Sequence, residues 1–282
     1  MNIRSGKRAL VILICGLILM LIYDHVISSF NGEAAIMSYG QQPYFVHHCL
    51  SNADTKVLDE QGELSVAVWN IYKQKKPNWR QQFNDLSRYD LVLLQEAKLN
   101  AALDHQINGA NMHALMAKGF VIRGQAMGVM TLSNSHADEA CAYQSVEPWI
   151  RFAKSTLVSR YHLSDGRQLL VVNLHGVNFD WRLSTYQAQW DLVAEQLKQH
   201  HGPLIVAGDF NTWRAGRMQV VNQFAATFGL TGASFHQDYR SRVLGQPLDH
   251  LFYRDLTLLQ ADAIASTASD HNPIVARFAL KP

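Results

Sequence analysis

From Glu63 onward the apolar positions fall into short runs separated by polar and glycine-containing breaks. "LSVAVWN" (64–70) sets Leu64, Val66 and Val68 on alternate positions with small residues between them, the period of a strand. "NWRQQFNDLSRY" (78–89) spaces Trp79, Phe83 and Leu86 for one face of a helix, with Asn78 as its cap. "DLVLLQE" (90–96) then reads as a continuously buried strand. "MGVMTLS", "AKSTLVSRYHL" and "QLLVVNLH" read as antiparallel strands, the last two joined by the turn "SDGR" (164–167). A helix is predicted from Ser184, with Ser184 and Gln187 as a capping box and Tyr186, Trp190, Val193 and Leu197 as its buried stripe. "PLIVAGDFNTW" (203–213), a helix near 216–228, "PLDHLFY" (247–253) and "NPIVARFAL" (272–280) complete the series. Strand–helix–strand units mixed with hairpins, and too few helices for a doubly wound sheet, predict an α/β sandwich with sheets packed face to face and helices outside.

Two stretches ahead of this region differ from it. Residues 24–62 have weak periodicity and read as a linker and irregular lead-in to a domain spanning 63–282. Residues 1–23 carry Arg4, Lys7 and Arg8 ahead of an apolar run from Ala9 to Tyr23. That run is shorter than the roughly 20 residues of a full span, and no clean small-residue cleavage site follows it. Three readings stay open: a membrane anchor, taken first, a cleaved signal peptide, and a cytoplasmic protein with an apolar N-terminus. As an anchor, the basic flank stays cytoplasmic and the domain lies on the far side.

Composition narrows the classes. A chain with 48% hydrophobic and 17% charged residues buries a large core and is not disordered. Residues 1–23 hold three of the 25 basic residues and none of the 23 acidic ones, so the body is close to neutral. A neutral body argues against nonspecific coating of nucleic acid, although a local basic patch can still meet a phosphate. Cys15 lies in the apolar segment; Cys49 and Cys141 are free either to pair in an oxidising compartment or to remain core thiols.

The chemistry lies at the strand ends. Asn70 closes the first strand, Glu96 the second and His175 another, while Asp209 and Asn211 follow "LIVAG". Asp249 opens "DHLF", and Asp270 and His271 precede the last strand. Each has an ordinary alternative: a strand terminator for Asn70, a helix N-terminal charge for Glu96, a core histidine for His175, a turn for Asp209 and Asn211, a cap for Asp270. Six apolar strands ending this way point instead to one active site at one end of the sandwich. Glu96, Asp209, Asp270 and the amides Asn70 and Asn211 are hard oxygen ligands suited to Mg²⁺ or Mn²⁺ and not to zinc. Carboxylates, a divalent metal and histidines fit attack of water on a phosphoester.

The motifs "WN" (69–70), "LLQE" (93–96), "NLH" (173–175), "GDFN" (208–211), "LDHLF" (248–252) and "SDH" (269–271), in that order, resemble the endonuclease/exonuclease/phosphatase superfamily. Its members include pancreatic-type deoxyribonucleases, apurinic-site endonucleases, neutral sphingomyelinases and inositol polyphosphate phosphatases. The resemblance covers about Leu64 to Leu280, and "WNIYKQ", "GVMTLS" and "ASDHNP" resemble a poorly characterised bacterial branch of it.

The resemblance implies a four-layer α/β sandwich with two packed mixed β-sheets and outer helices. It implies a Mg²⁺-dependent phosphodiester hydrolase, Mn²⁺ being an alternative, with Asn70, Glu96 and Asp270 at the metal. In this reading Asp209 orients or deprotonates water, Asn211 and His175 hold phosphate oxygens, and Asp249 hydrogen-bonds the His271 ring. Whether Asp209 or His271 is the base stays open. Tyr72 stands where some relatives carry an acid, which leaves open whether one metal ion is bound or two. A nuclease is the first functional expectation. A membrane-associated lipid phosphodiesterase or inositol-phosphate-type phosphatase is the second, and an inactive membrane-tethered binding module the third. The expected partners are a phosphodiester, nucleic acid ahead of lipid, and the membrane through residues 1–23, with the chain a monomer. Lys73, Lys75, Lys76, Trp79 and Arg80 form a basic cluster with an aromatic, read either as a solvated helix start or as a contact to a substrate backbone.

Overall fold

A computed structural model of the chain describes residues 3–39, 46–53 and 55–281. It opens with a long helix, α1 (Ile3–Asn31), and three short strands, β1 (Ile36–Tyr39), β2 (Val46–His47) and β3 (Cys49–Ser51). β4 (Glu63–Asn70), α2 (Trp79–Leu86) and β5 (Leu91–Lys98) form a strand–helix–strand unit with parallel strands. α3 (Ala101–Ala110) leads into β6 (His113–Ile122), β7 (Gln125–Ser133), β8 (Glu139–Val146) and β9 (Ala153–His162). β10 (Gln168–His175), α4 (Ser184–Leu197) and β11 (Leu204–Asp209) repeat the parallel unit. α5 (Ala215–Thr227), β12 (Thr231–Gly232), a ribbon of β13 (Arg242–Val243) and β14 (Gln246–Pro247), then β15 (Asp249–Arg254), β16 (Leu256–Ala263) and β17 (Ile274–Leu280) follow.

The strands make two large mixed sheets, β16-β17-β4-β5-β7-β6-β1-β2 and β12-β15-β11-β10-β9-β8-β3. Side-chain alternation decides how they stack, because successive residues of a strand face opposite sides. Val66 and Val68 of β4 and Leu91 and Leu93 of β5 face the second sheet, where Val171, Ile205, Ala207 and Leu251 meet them in one core. The residues between, Ala67, Trp69, Val92 and Leu94, face away and take Trp79, Phe83 and Leu86 of α2 with Leu103 and Ile107 of α3. On the opposite side Leu170, Val172, Leu204 and Val206 take Tyr186, Trp190 and Val193 of α4 with Val221 and Phe224 of α5. Each of these large side chains stabilises the fold by about 1.5–3 kcal/mol when taken out of water. The result is the helix–sheet–sheet–helix sandwich expected from the sequence.

Helix starts depart from the expected caps. Ser184 is the first helical residue and not the cap, and Leu183 before it has a left-handed φ of 65°. Asp180 Oδ2 accepts from the backbone N–H of Thr185 (2.7 Å) and Tyr186 (3.0 Å), and the Gln187 side chain donates instead to Asp191. A carboxylate from the preceding loop thus replaces the capping box. Asn78 also caps nothing; its Nδ2 donates to Thr267 Oγ1 at 3.3 Å.

Among the described residues of 24–62, read as linker and irregular lead-in, are the end of α1 and three short strands: β1 lies between β6 and β2, and β3 pairs β8 at the edge of the other sheet. α1 continues beyond Tyr23 because its last turns gain packing on the domain. Ile27 and Asn31 are buried, Asn31 Nδ2 donates to Arg151 O (2.7 Å), and Asn31 Oδ1 accepts from Ala153 N (3.0 Å). The Tyr23 hydroxyl donates to Ile150 O at 3.2 Å. From Leu10 to Tyr23 the apolar side chains are exposed, and the helix is long and apolar enough to cross a membrane. Cys49 and Cys141, directly opposite on β3 and β8, form a disulfide.

Candidate active site

The alternation that builds the core also aims the site. The inward series of β4 runs through Leu64, Val66 and Val68 to Asn70, and that of β5 through Leu91 and Leu93 to Gln95. In β10 it runs through Leu169 and Val171 to Asn173 and His175, in β11 through Ile205 and Ala207 to Asp209, and in β15 from Leu251 back to Asp249. Asn70 pairs with Gln95, and Asp209 lies between His175 and Asp249, so these ends converge at one end of the sandwich. Below them Gln95 Nε2 donates to Asn173 Oδ1 across the sheets at 2.8 Å, and Asn173 Nδ2 donates to Met130 O at 3.0 Å. Both amides are fully buried and separate the apolar core from the polar site.

Two positions break the regular backbone to complete the cluster. Strict alternation would turn Glu96 outward with Val92 and Leu94. A bulge between Leu94 and Ala97, with Glu96 at φ 53°, returns Ala97 to the outer core and brings the carboxylate in. Gly208 has φ 141°, and a Cβ there would stand 2.0 Å from Leu174 O on β10. The absent side chain lets β11 run against β10 and bring Asp209 level with His175.

Asp209, Asp249 and His271 hold ligand atoms within 4.8 Å of one another. The contact expected between Asp249 and the His271 ring is present, Nδ1 to Oδ2 at 2.8 Å, and Nε2 lies 3.8 Å from Asp209 Oδ2. His175 Nε2 is 3.5 Å from the same Asp209 oxygen, which also accepts from Asn70 Nδ2 at 3.0 Å. Asp209 Oδ1 accepts from the Asn211 backbone at 3.0 Å, while the Asn211 side chain donates to Gly176 O at 2.9 Å. Ser269 Oγ donates to Asn70 O (2.6 Å) and Trp69 Nε1 to His271 O (3.1 Å), fastening the loop that carries His271 to β4.

Asn70, His175, Asp209, Asn211, Asp249 and His271 are therefore all brought together and buried. Of the three residues read as metal ligands, Asn70 is bonded to Asp209, Glu96 pairs with Lys73, and Asp270 is exposed, its Oδ1 3.3 Å from Ser269 Oγ. Lys154 is a member of the site that the sequence reading missed. Its ammonium is 2.9 Å from His175 Nε2 and 3.9 Å from the fully buried Glu147, whose carboxylate accepts from the backbone of Asn178 and Phe179. Arg217, also missed and fully buried, donates through Nε to Asn211 O and through Nη1 to Asn178 O. The basic cluster divides: Lys73 turns to Glu96, Lys75 lies over the Tyr72 ring and Arg80 over Trp79.

Burial and neighbours set the charges. Burial lifts Asp209, with Asp249 adding to it and His271 and Lys154 opposing, to about 6. Burial works against a charged His271, but the Asp249 and Asp209 carboxylates outweigh it and raise the ring to about 10. Burial, reinforced by Lys154 and Lys73, holds His175 well below the usual histidine range, so this ring is neutral and accepts from Lys154. Burial alone would raise Glu96, yet Lys73 and Lys154 bring it below the usual range.

This donor set fits a hard divalent cation. Glu96 and Asp270 are carboxylates, Ser269 Oγ lies against both Asn70 O and Asp270 Oδ1 and so keeps those two residues side by side, and Glu96 already draws the Lys73 ammonium onto itself.

A two-sheet α/β sandwich with carboxylates, histidines and amides gathered at one end is the architecture of a phosphoesterase class of hydrolases. The chain belongs to the endonuclease/exonuclease/phosphatase family, whose model matches residues 67–271. It is 44% identical over 234 residues to a UPF0294 protein of Vibrio cholerae, covering 82% of this chain and 83% of that one. A UPF0294 protein of Photorhabdus laumondii is 38% identical over 225 residues, 79% of this chain and 86% of that one. Among solved structures, an endonuclease/exonuclease/phosphatase from Bacteroides vulgatus superposes with a TM-score of 0.63 at 16% identity, covering 78% of this chain and 99% of that one.

Proposed function

We propose that the chain is a divalent-metal-dependent phosphoester hydrolase held at a membrane by α1. The observation that carries this is the Asp209–His271–Asp249 arrangement. Asp249 accepts from Nδ1 and Asp209 faces Nε2, so the ring lies between two acceptors and keeps a proton on each nitrogen. Asp209 is then the base, held by Asn70 and the Asn211 backbone. It takes a proton from water as the water oxygen bonds to phosphorus; the bond from phosphorus to the leaving oxygen breaks, and that oxygen takes the proton of His271. Lys154 and His175 stand beside the same space and offer positive charge and a polar edge to the phosphate oxygens. Glu96, with Asn70 and Asp270, would hold a Mg²⁺ or Mn²⁺ ion, which when bound polarises the phosphoryl group. An inactive binding module has less support, because the acid, base and oxygen-ligand groups are all present.

Membrane attachment is supported by α1 and by the basic flank Arg4, Lys7 and Arg8. The Cys49–Cys141 bond fits a domain on the non-cytoplasmic, oxidising side. Nucleic acid, the substrate expected first from the sequence, draws less support from the basic cluster than three freely projecting lysines would give, since Lys73 is engaged by Glu96.

The test is hydrolysis of bis(4-nitrophenyl) phosphate by the full chain with Mg²⁺ or Mn²⁺. Activity should vanish in EDTA and fall by about 10²- to 10⁴-fold in Asp209→Asn with the fold retained. Direct Mn²⁺ binding should weaken in Glu96→Gln. Full activity in EDTA would overturn the metal-dependent reading.

A further inference from the structure

A groove of about 470 Å³ opens from the polar site and is mostly apolar. Lys73, Glu96, Lys154 and His175 line it together with Phe120, Ile122, Met127, Phe152 and Phe179. Walls this apolar match a hydrocarbon better than a sugar–phosphate backbone, and a cleft of this size with a few convergent polar groups is the build of a ligand site. The same walls touch α1. Phe152 stacks on Phe30 of α1 at 6.4 Å and packs at a tilt against Phe120 at 4.7 Å, and Ile150, which also lines the groove, accepts the Tyr23 hydroxyl bond. Around this contact Trp149 is 70% exposed and Trp181 63%, and both line a second cleft with Leu17, Met20 and Tyr23 of α1. Exposed tryptophans and a tyrosine beside an apolar helix mark the level at which a bilayer meets water.

We propose that this groove receives the hydrocarbon tail of a membrane lipid and presents its phosphate ester to Asp209 and His271, with α1 holding the groove mouth at the bilayer surface. The proposal rests on the phosphoesterase reading and adds the class of substrate. The bond cleaved is the phosphoester described above. Lys154 meets the anionic phosphate while the tail lies along Phe120, Ile122 and Met127.

The test uses the full chain in phosphatidylcholine vesicles and two arms. In the first, turnover per KM is compared for 4-nitrophenyl methyl phosphate and 4-nitrophenyl dodecyl phosphate at fixed lipid. Each buried methylene favours binding, so the dodecyl ester should exceed the methyl ester by at least about tenfold. Ile122→Glu should lower that ratio severalfold; taking the ratio within each variant cancels the fraction folded, and comparing the two ratios cancels the partitioning of each ester into the vesicle. A ratio near one in the parent with metal-dependent turnover of the methyl ester overturns the lipid proposal and leaves the phosphoesterase standing. The second arm needs no turnover: a dodecyl phosphate with a diazirine on its terminal carbon is photolysed and the labelled peptides are mapped. Label in 120–127 and 150–153, reduced severalfold in Ile122→Glu, supports the groove. Label confined to α1 in both chains overturns it, whether or not either ester is cleaved.

Discussion

The His271 ring lies between two carboxylates and is 9% exposed, and its proton is held because of that arrangement. Its folded pKa of about 10 is above the ordinary value near 6.5 of an unfolded chain. A group raised in this way contributes stability that is fully present below about pH 6.5 and is lost as pH rises through about 10. In EDTA, the parent should therefore lose stability between pH 6.5 and 10 relative to His271→Gln, by a few kcal/mol in denaturant melts. Asp249→Asn should bring the ring's NMR titration down toward the usual range. Identical pH slopes for parent and His271→Gln would show that the ring is not charged at neutral pH. The identity of this pair was legible in the sequence, because "LDHLF" and "SDH" put an acid and a histidine at strand ends. Lys154 was not legible: a lysine near the start of a strand reads as solvent-facing, and only the packing of β9 beside β10 brings it to His175. Glu96 was legible as a residue but not as an orientation, since a bulge and not the strand period turns it inward.

At the level of elements, the parallel pair β10 and β11 carries His175 and Asp209 in register, and Gly208 sets the separation of the two strands. Gly208→Ala puts a methyl carbon against Leu174 O, so it should cost about 1–3 kcal/mol. At about 2–4 °C per kcal/mol for a domain of this size, the melting temperature should fall by several degrees, and turnover should fall further than the unfolded fraction explains. An unchanged melting temperature would mean that the strands separate freely there. The elements legible in the sequence were those with a regular apolar period, such as β4, α2, β5 and α4. β8 and β16 were not, because their alternation is interrupted by exposed positions at and near the sheet edges. Nor were the short strands β1 to β3, too short to show a period and stabilised by pairing, β1 with β6 and β3 with β8. Helix caps were misread because Asp180, four residues before the predicted cap at Ser184, reaches the N–H groups that Ser184 was expected to serve.

For the whole molecule, the relation between α1 and the sandwich matters more than the length of either. The sequence suggested some forty residues of slack between anchor and domain, yet only residues 32–35 separate α1 from β1, and the last turns of α1 are packed on the domain through Ile27, Phe30 and Asn31. With α1 in a bilayer, the catalytic body cannot sweep a hemisphere of solution around its anchor point. In that setting it would slide with one orientation over a plane, and the lipid substrate proposed above would reach it by lateral diffusion. Rate should then follow the mole fraction of substrate among the surrounding lipids and not the amount per litre: adding inert phosphatidylcholine to vesicles of fixed substrate content should slow turnover even though the bulk concentration is unchanged. A soluble enzyme that visits the membrane only by collision would instead be indifferent to such surface dilution once its substrate is in excess.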